Sequence, residues 1–489
     1  MFGKYRRAGS ILTLLVFFTL SACATHSEVR RKMVTDVRCG AYKNAERRLA
    51  DLAGEREKDV LMDVMDEAMI LHLEGRYKSS NAKLERAKEL IDGYFTVDIS
   101  DELAAIAWND TERAYQGEEF ERVMVHMLSA FNYLQMGLLD EAAVEARQIN
   151  HKLQVYADKL AANKVKTSYT QDPFAQYLAG MIQEASGEYN DALLSYRDAY
   201  KGYLQTGRDF GIAAPPALRS DLMRAAMRAG NDEAYLEFKQ NFPNAPERPV
   251  NFVESHGRLV VISSVGRVAQ KYSAKWIIPD PELDTFVIYY PKFGKGKSRI
   301  SHVTVSVDGK EYRAQPAHNL TSLAKKTLDE KSSQVKGRAV VKAIAMYAAK
   351  KVTKKLAKHS KSQTTQTLSI LANIALNVAD LLMQADTRSW MSLPDKIGLA
   401  SMYLKPGHHT VSVNFLGSGW EMLDRQVISF DIKAGQTRFW VTRSREPHPE
   451  GKRPDPSPKP IWNKRKSTPK QKTRSIKKRR QPVSMLIND

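Results

Sequence analysis

A turn that recurs through the first half of this chain constrains it more than any other feature. Gly40-Ala41-Tyr42 is followed by Ala45, Leu49 and Leu52. Gly75-Arg76-Tyr77 is followed by Ser80, Leu84 and Ala87, with Ala68 and Leu71 before it. Gly137-Leu138-Leu139 leads to Ala142, Ala146 and Ile149, and Gly187-Glu188-Tyr189 leads to Ala192, Tyr196 and Ala199. Gly230, before Asn231-Asp232-Glu233-Ala234, is a weaker fifth copy. On both sides of each glycine, small and apolar residues fall three or four apart, which is the spacing of one helix face. The segments are rich in Ala, Leu, Glu, Arg and Met, all good helix formers. The chain therefore reads as helical hairpins turning at glycine. One hairpin cannot bury its apolar face alone, so stacking must supply the core.

These copies resemble the tetratricopeptide repeat, whose antiparallel helices meet at small residues with a glycine in the turn. The first two glycines lie 35 residues apart, close to the repeat's period of about 34. Later gaps are longer, so the array carries insertions. The resemblance covers residues 23–250 and implies a concave surface suited to peptides or helices. Tyr77, Tyr115, Tyr133, Tyr177, Tyr189, Tyr196 and Tyr200 sit at helical spacing and read as packing between helices. Residues 23–250 hold 29 basic and 37 acidic side chains, so the repeats do not attract nucleic acid and more readily accept a basic segment.

Pro243, Pro246 and Pro249 mark a boundary. In residues 251–320, Leu259 to Ser264, Asp284 to Tyr290 and Ser301 to Val307 are short β-branched or alternating runs, so strands are expected. Asp308-Gly309 signals a hairpin. Gly296-Lys297-Ser298 imitates the end of a phosphate-binding loop, but Pro291 stands where that motif needs glycine, and strand residues follow in place of a helix. It reads as a basic turn. A second β segment, 392–443, has strands over His409 to Phe415, Gln426 to Ile432 and Phe439 to Val441. Its Leu404-x-Pro406-Gly407 start and Ala434-Gly435-Gln436 turn resemble PEGA-type β modules of exported bacterial proteins.

Between these segments, residues 321–391 read as a helical hairpin. Ala339, Val340, Ala343, Ile344, Tyr347, Ala348, Val352 and Leu356 form an apolar stripe. Lys350, Lys351, Lys354, Lys355 and Lys358 crowd the other face, and residues 325–361 carry twelve bases against two acids. Such a helix can pack into a core or lie on an anionic surface. Ser369 to Met383 is apolar, but Asn373, Asn377 and Asp380 make it a buried partner helix and not a membrane span. Arg388, in Ala385 to Trp390, is expected to pair with Asp386 or stack on aromatics.

Residues 444–489 are basic and proline-rich, including Lys477-Lys478-Arg479-Arg480, and predict a disordered tail. At the other end, Lys4, Arg6 and Arg7 precede an apolar run from Ile11 to Leu20 and then Ser21-Ala22-Cys23, an export signal over residues 1–22. The run is too short to cross a bilayer. Leu20-Ser21-Ala22-Cys23 resembles the lipobox of bacterial lipoproteins. That implies cleavage before Cys23, acylation of its thiol (palmitate among the chains), and, with Ala24 next, the outer membrane with the body facing the periplasm. The full order of repeats, β segment, basic helix, Ala385 to Trp390 and Pro406-Gly407 is similar to a family of uncharacterised bacterial repeat-containing lipoproteins. That family implies location and architecture, not chemistry.

The sequence carries no H-E-x-x-H, G-x-S-x-G or Cys/His metal spacing. His408 and His409 adjoin on an expected strand and would point to opposite faces. Glu118-Glu119 reads as helix-start charge. Cys39 reads as a small packed residue. The expectation is an α+β chain without catalytic residues, metal or cofactor. Its helical-repeat domain is followed by a β-rich module with an inserted helical hairpin. It is anchored through Cys23 and works as a protein-interaction scaffold for an envelope protein. The alternatives are binding of an anionic envelope polymer by the basic helix and tail, or regulation of a cell-wall synthase. The chain's net charge of +20 no longer implies nucleic acid once export is considered.

Overall fold

A computed structural model describes residues 28–52, 57–95, 113–162, 172–280, 284–332, 335–337, 339–340, 343–344, 347–348, 351–352, 385–447, 454–455 and 459–463. Helix α1 covers residues 28–38. The helices that follow are α2 (Tyr42–Leu52), α3 (Val60–Leu73), α4 (Tyr77–Phe95), α5 (Glu119–Met136), α6 (Leu139–Ala162), α7 (Pro173–Ala185), α8 (Tyr189–Phe210), α9 (Pro216–Arg228) and α10 (Asp232–Asn241). They form five hairpins, and each turns at one of the five glycines. Those glycines have φ of +74, +79, +74, +83 and +67°, a region open to glycine because it lacks Cβ. The same closure recurs at each turn. The residue after the glycine donates to the carbonyl five residues back, as in Arg76 to Leu71 at 2.9 Å and Glu188 to Gln183 at 2.8 Å. This caps the carbonyls at the helix end. The weaker copy at Gly230 closes in the same way, with Asn231 donating to Ala226 at 2.9 Å. Within the α7–α8 hairpin, a Cβ on Gly180 would lie 2.4 Å from the Tyr196 ring, so glycine sets how closely the two helices approach.

After α11 (Val250–Ser255) come the strands β1 (Gly257–Val265), β2 (Lys271–Asp280), β3 (Asp284–Phe293), β4 (His302–Val307), β5 (Lys310–Arg313) and β6 (Gln315–Asn319). Helix α12 (Leu320–Glu330) follows, and then β7 (Lys396–Leu404), β8 (Gly407–Leu416), β9 (Met422–Ile432) and β10 (Thr437–Arg443). One sheet has the order β10-β1-β7-β6 and another β5-β4-β8-β9. Both sheets mix strands from the two β segments, so these segments build one sandwich. Strand β1 lies between β10, parallel, and β7, antiparallel, and is buried along its whole length. Its unbroken apolar run follows from burial on both faces. Leu259 and Val261 join the core between the sheets, while Val260 and Ile262 join the core shared with the helices. The molecule is thus layered as outer helices, inner helices, inner sheet and outer sheet. Asp308 and Gly309 have φ of +51 and +74° in the tight β4–β5 turn, as their sequence signalled.

Three expectations need correction. Strands β2, β6 and β7 were not foreseen. Strand β7 contains Gly398, Ala400 and Ser401, a poor β composition, yet a Cβ on Gly398 would already sit 3.0 Å from Ser263 Oγ. Close sheet packing has overridden propensity there. The tail does not leave the body at residue 444. Ser444 donates to the Ser264 carbonyl at 2.9 Å, Asp455 donates to that of Gly40 at 2.7 Å, and Trp462 meets the Phe430 ring edge-on at 5.4 Å. A half-buried aromatic anchor, Trp462, offsets what the average composition lacks. Finally, Ala385 to Trp390, within the stretch expected as a helical hairpin, form a strap that is neither helix nor strand.

Candidate interaction surfaces

The inner helices of the hairpins are buried on both sides. Every residue from Pro173 to Glu184 in α7 is buried, and so is nearly all of α5. Helices α4, α6 and α8 cover one side. The inner sheet of the same chain covers the other, through Val260, Ile262, Ile397, Leu399, Phe439 and Val441. The face expected to take a peptide is therefore occupied by the chain's own β module.

Polar side chains fix this junction. The Gln135 amide donates to the Val441 carbonyl at 3.0 Å and accepts from the Val441 amide at 3.1 Å, completing the edge of β10. At the opposite edge, Tyr203 donates to the Ala317 carbonyl of β6 at 2.8 Å. Between the edges, Arg258 of β1 reaches Asp221 at 2.8 Å and Glu184 at 3.1 Å. Arg224 binds the same two carboxylates, and Tyr177 and Tyr196 donate to them, each at 2.7 Å. Burial opposes ionisation of Glu184 and Asp221, but Arg224 and Arg258 outweigh it and hold both below the usual carboxylate range. Two acids facing two guanidinium groups leave the cluster neutral, as a buried ionic group must be. A cleft of about 170 Å³, lined by Arg224, Tyr235, Arg248 and Tyr403 among others, opens beside it.

The strap makes a second junction. Arg388 pairs with Asp386 at 2.8 Å and Asp59 at 3.2 Å, and lies 5.4 Å from the Tyr115 ring centre. This is the structural role expected for it. Trp390, fully buried, donates its backbone N–H to Glu121 at 2.7 Å. Glu121 also accepts from Tyr115 and from the Glu118 amide. Burial, and then the charge of Glu118, push Glu121 up to about 7. Burial also pushes Glu118 up, but Lys271 and Lys331 outweigh it and hold Glu118 at about 2. The pair read as helix-start charge is thus tied across the chain: Lys271 bonds Glu118, and Lys331 bonds Glu119.

Among the described residues the outer face of the repeats is uncovered. Val144 on α6 and Leu194 and Leu204 on α8 are 49, 57 and 65% exposed. A polar cleft of about 330 Å³ runs between α6, α7 and α8, lined by Arg147, Gln154, Asp191, Leu194, Ser195 and Asp198 among others.

Cys23 and the sequence-derived cations Lys350, Lys354, Lys355, Lys358, Lys477, Lys478, Arg479 and Arg480 lie outside the described residues, as does Ser369 to Met383. Lys351 is described, and its ammonium lies 5.0 Å from the Tyr347 ring centre. Cys39 is buried at the end of α1, and burial pushes its thiol up. His408 and His409 take opposite faces of β8, pairing with Asp431 at 3.0 Å and Asp308 at 2.7 Å. Among the described residues, no group of three His, Cys, Asp or Glu side chains is placed to hold a metal, and no helix is long and apolar enough to cross a membrane.

The fold defines a protein of stacked helical hairpins closed on one side by a β sandwich. No family model matches the chain, and no curated protein matches it. Among solved structures it is similar to MamA of AMB-1, at 14% identity, covering 47% of this chain and 96% of that one, with a TM-score of 0.27. It is also similar to MamA 41-end from Desulfovibrio magneticus RS-1, at 12% identity, covering 45% of this chain and 94% of that one, with a TM-score of 0.28. Likeness at these TM-scores carries no functional argument, so function rests on this chain's own surfaces.

Proposed function

We propose that this chain is an exported, non-catalytic scaffold, tethered to the bacterial envelope by acylated Cys23, that recruits an envelope protein through the outer face of its helical repeats. The observation that carries the reading is the outer face of α6 and α8, which exposes Val144, Leu194 and Leu204 and holds a polar cleft lined in part by Leu194. Helices α6 and α8 pack on the inner helices α5 and α7, which the sandwich backs in turn, and a preformed surface loses less entropy on binding. Asp191 and Asp198 at the cleft suit a partner segment with a basic, amphipathic character. The acyl anchor is the proposal's other half. It places the scaffold on the periplasmic side of the outer membrane and raises its effective concentration against membrane-bound partners.

A photocrosslinker placed at Leu194 in the living cell, read by mass spectrometry, tests the surface. A specific envelope protein should be captured, and Leu204→Glu should abolish that capture. An unchanged crosslink pattern in Leu204→Glu overturns the assignment. Incorporation of labelled palmitate, lost in Cys23→Ser, tests the anchor separately.

The clustering of cations in the sequence supports a second reading, binding of anionic envelope polymer through residues 325–361 and the tail. That binding should fall steeply with salt and depend on residues 464–489.

A further inference from the structure

The cleft beside the Arg258 cluster has no part in the proposed function. It holds about 170 Å³ between α9, α10 and β7, and roughly 150 Å³ is enough to admit benzene. The two carboxylates in its wall are already engaged. Asp221 accepts from Tyr177, Arg224 and Arg258, and Glu247 accepts from Tyr235 and pairs with Lys239 at 3.3 Å. Its donors are not all engaged. Arg224 uses Nε and Nη2 on Glu184 and Asp221, and Nη1 is left over. Ser401 accepts from Arg258 at 2.9 Å, which leaves its O–H to donate. The Tyr403 hydroxyl is sealed from water and has no partner among the described residues.

Arg248 completes the wall. It is exposed and forms no ion pair among the described residues. Aromatic rings hold it in place: its guanidinium carbon lies 4.9 Å from the Phe252 ring centre and 5.0 Å from that of Tyr403. Pro246 and Pro249 flank it along the chain and restrict the backbone that carries it. Spare donors beside engaged acceptors select an anion. Guanidinium groups suit a carboxylate, which can take two parallel N–H bonds. The remaining wall includes Pro216, Ala217, Met223, Met227 and Pro246. These suit an apolar body next to the charge, the usual make-up of a small-ligand site.

We propose that this cleft binds a carboxylate carried on a small apolar group about the size of a benzene ring. The carboxylate lies between Arg248 and Arg224, and the apolar group lies against Met223 and Met227. Two sources supply this chemistry, a free organic acid and the C-terminal residue of a polypeptide. Asp221 and Glu247 do not oppose it, because Arg224, Arg258 and Lys239 neutralise them. The inference requires neither the acyl anchor nor the outer-face partner.

The test is equilibrium dialysis of the full chain carrying Cys23→Ser against labelled benzoate at neutral pH. Benzoate should bind, and benzamide, which has its shape without its charge, should compete roughly ten-fold more weakly or worse. Arg248→Gln should weaken benzoate by a similar factor with circular dichroism and unfolding temperature unchanged, because Arg248 lies at the surface. Met227→Trp, which fills the apolar part, should also remove binding. A labelled peptide ending in phenylalanine is dialysed in parallel, with a free or an amidated C-terminus. Peptide binding that needs the free carboxylate assigns the cleft to chain ends, and benzoate binding alone assigns it to free acids. Failure of both benzoate and the free-ended peptide to bind overturns the proposal. So does benzamide binding as tightly as benzoate, or an affinity unchanged in Arg248→Gln. Inorganic phosphate competing as well as benzoate also overturns it, since the cleft would then serve a bare anion.

Discussion

The side-chain amide of Gln135, on helix α5, makes both hydrogen bonds of a β-ladder rung with Val441, on strand β10. A helix side chain thereby closes a sheet edge that would otherwise expose backbone donors and acceptors. Gln135 is 1% exposed, so water cannot replace it. Its Nε2 also lies 3.0 Å from the Tyr77 hydroxyl, which accepts from it. One residue therefore links two hairpins to the sandwich.

Gln135→Ala should strand the N–H and C=O of Val441 in a buried site, at a cost of about 2–5 kcal/mol for two unsatisfied groups. Urea unfolding followed at 222 nm and by tryptophan fluorescence should shift together. A shift confined to one signal would show that the helices and the sandwich unfold separately.

Arg258→Met should be more severe than its single position suggests. It leaves Glu184 and Asp221, both buried, with Arg224 as their remaining guanidinium, and breaking a buried pair costs about 3–5 kcal/mol. Arg258→Lys should recover little, because one ammonium cannot bridge the two carboxylates as the planar fork does. Equal unfolding midpoints for Arg258→Lys and the parent chain would refute this role.

Two glycines should respond to alanine for different reasons. At Gly187, φ is +83° and a Cβ meets open space, so Gly187→Ala should cost about 1–2 kcal/mol of left-handed strain. At Gly180 the obstacle is the Tyr196 ring, and Gly180→Ala should cost about 1–3 kcal/mol from overpacking. Tyr196→Ala added to Gly180→Ala should be less damaging than the sum of the two single changes, whereas added to Gly187→Ala it should be additive. Thermal unfolding of the double-mutant sets checks both.

Glu121 gives a pH signature. Its folded pKa, about 7, lies above the ordinary carboxylate value, so the folded state binds the proton more tightly than the unfolded chain. Its contribution is therefore most favourable at low pH and is lost as pH rises from about 4.5 through 7. Glu118, held at about 2, has the opposite sign: its contribution is present above the ordinary value and is lost as pH falls toward 2. Glu121→Gln should remove the downward slope of stability between pH 4.5 and 7 and leave the acid limb below pH 4. Unfolding midpoints across that range measure it, and an unchanged slope would place the titration elsewhere.

The parts of this fold legible in the sequence are those governed by neighbours along the chain. All five glycine turns close as their flanking patterns required, and Asp308-Gly309 makes its hairpin, because these conformations depend on a few adjacent residues. The β1 run was readable because burial on both faces removes alternation. Strands β6 and β7 were not. Their residues, Pro316, Gly398 and Ser401 among them, have weak strand preference and are held by partners far away in the chain. Trp462 was hidden inside a segment whose average composition predicts no order.

The candidate surfaces divide in the same way. The sequence placed Arg388 beside Asp386 because they are two residues apart. It could not place Arg258 on Glu184 and Asp221, which lie 74 and 37 residues away, nor join Glu118 to Lys271. Helical spacing determines that a helix has an apolar face, but that face looks the same whether another hairpin, a foreign peptide or the chain's own sheet covers it. The sequence alone determined the hairpins, their turns, the acidic repeats and the basic stretches. Only the tertiary structure decided that the sandwich fills the inner face of the repeats, because that choice depends on side chains such as Gln135 and Tyr203 meeting strands more than a hundred residues along the chain, and on strand residue Arg258 meeting helix carboxylates.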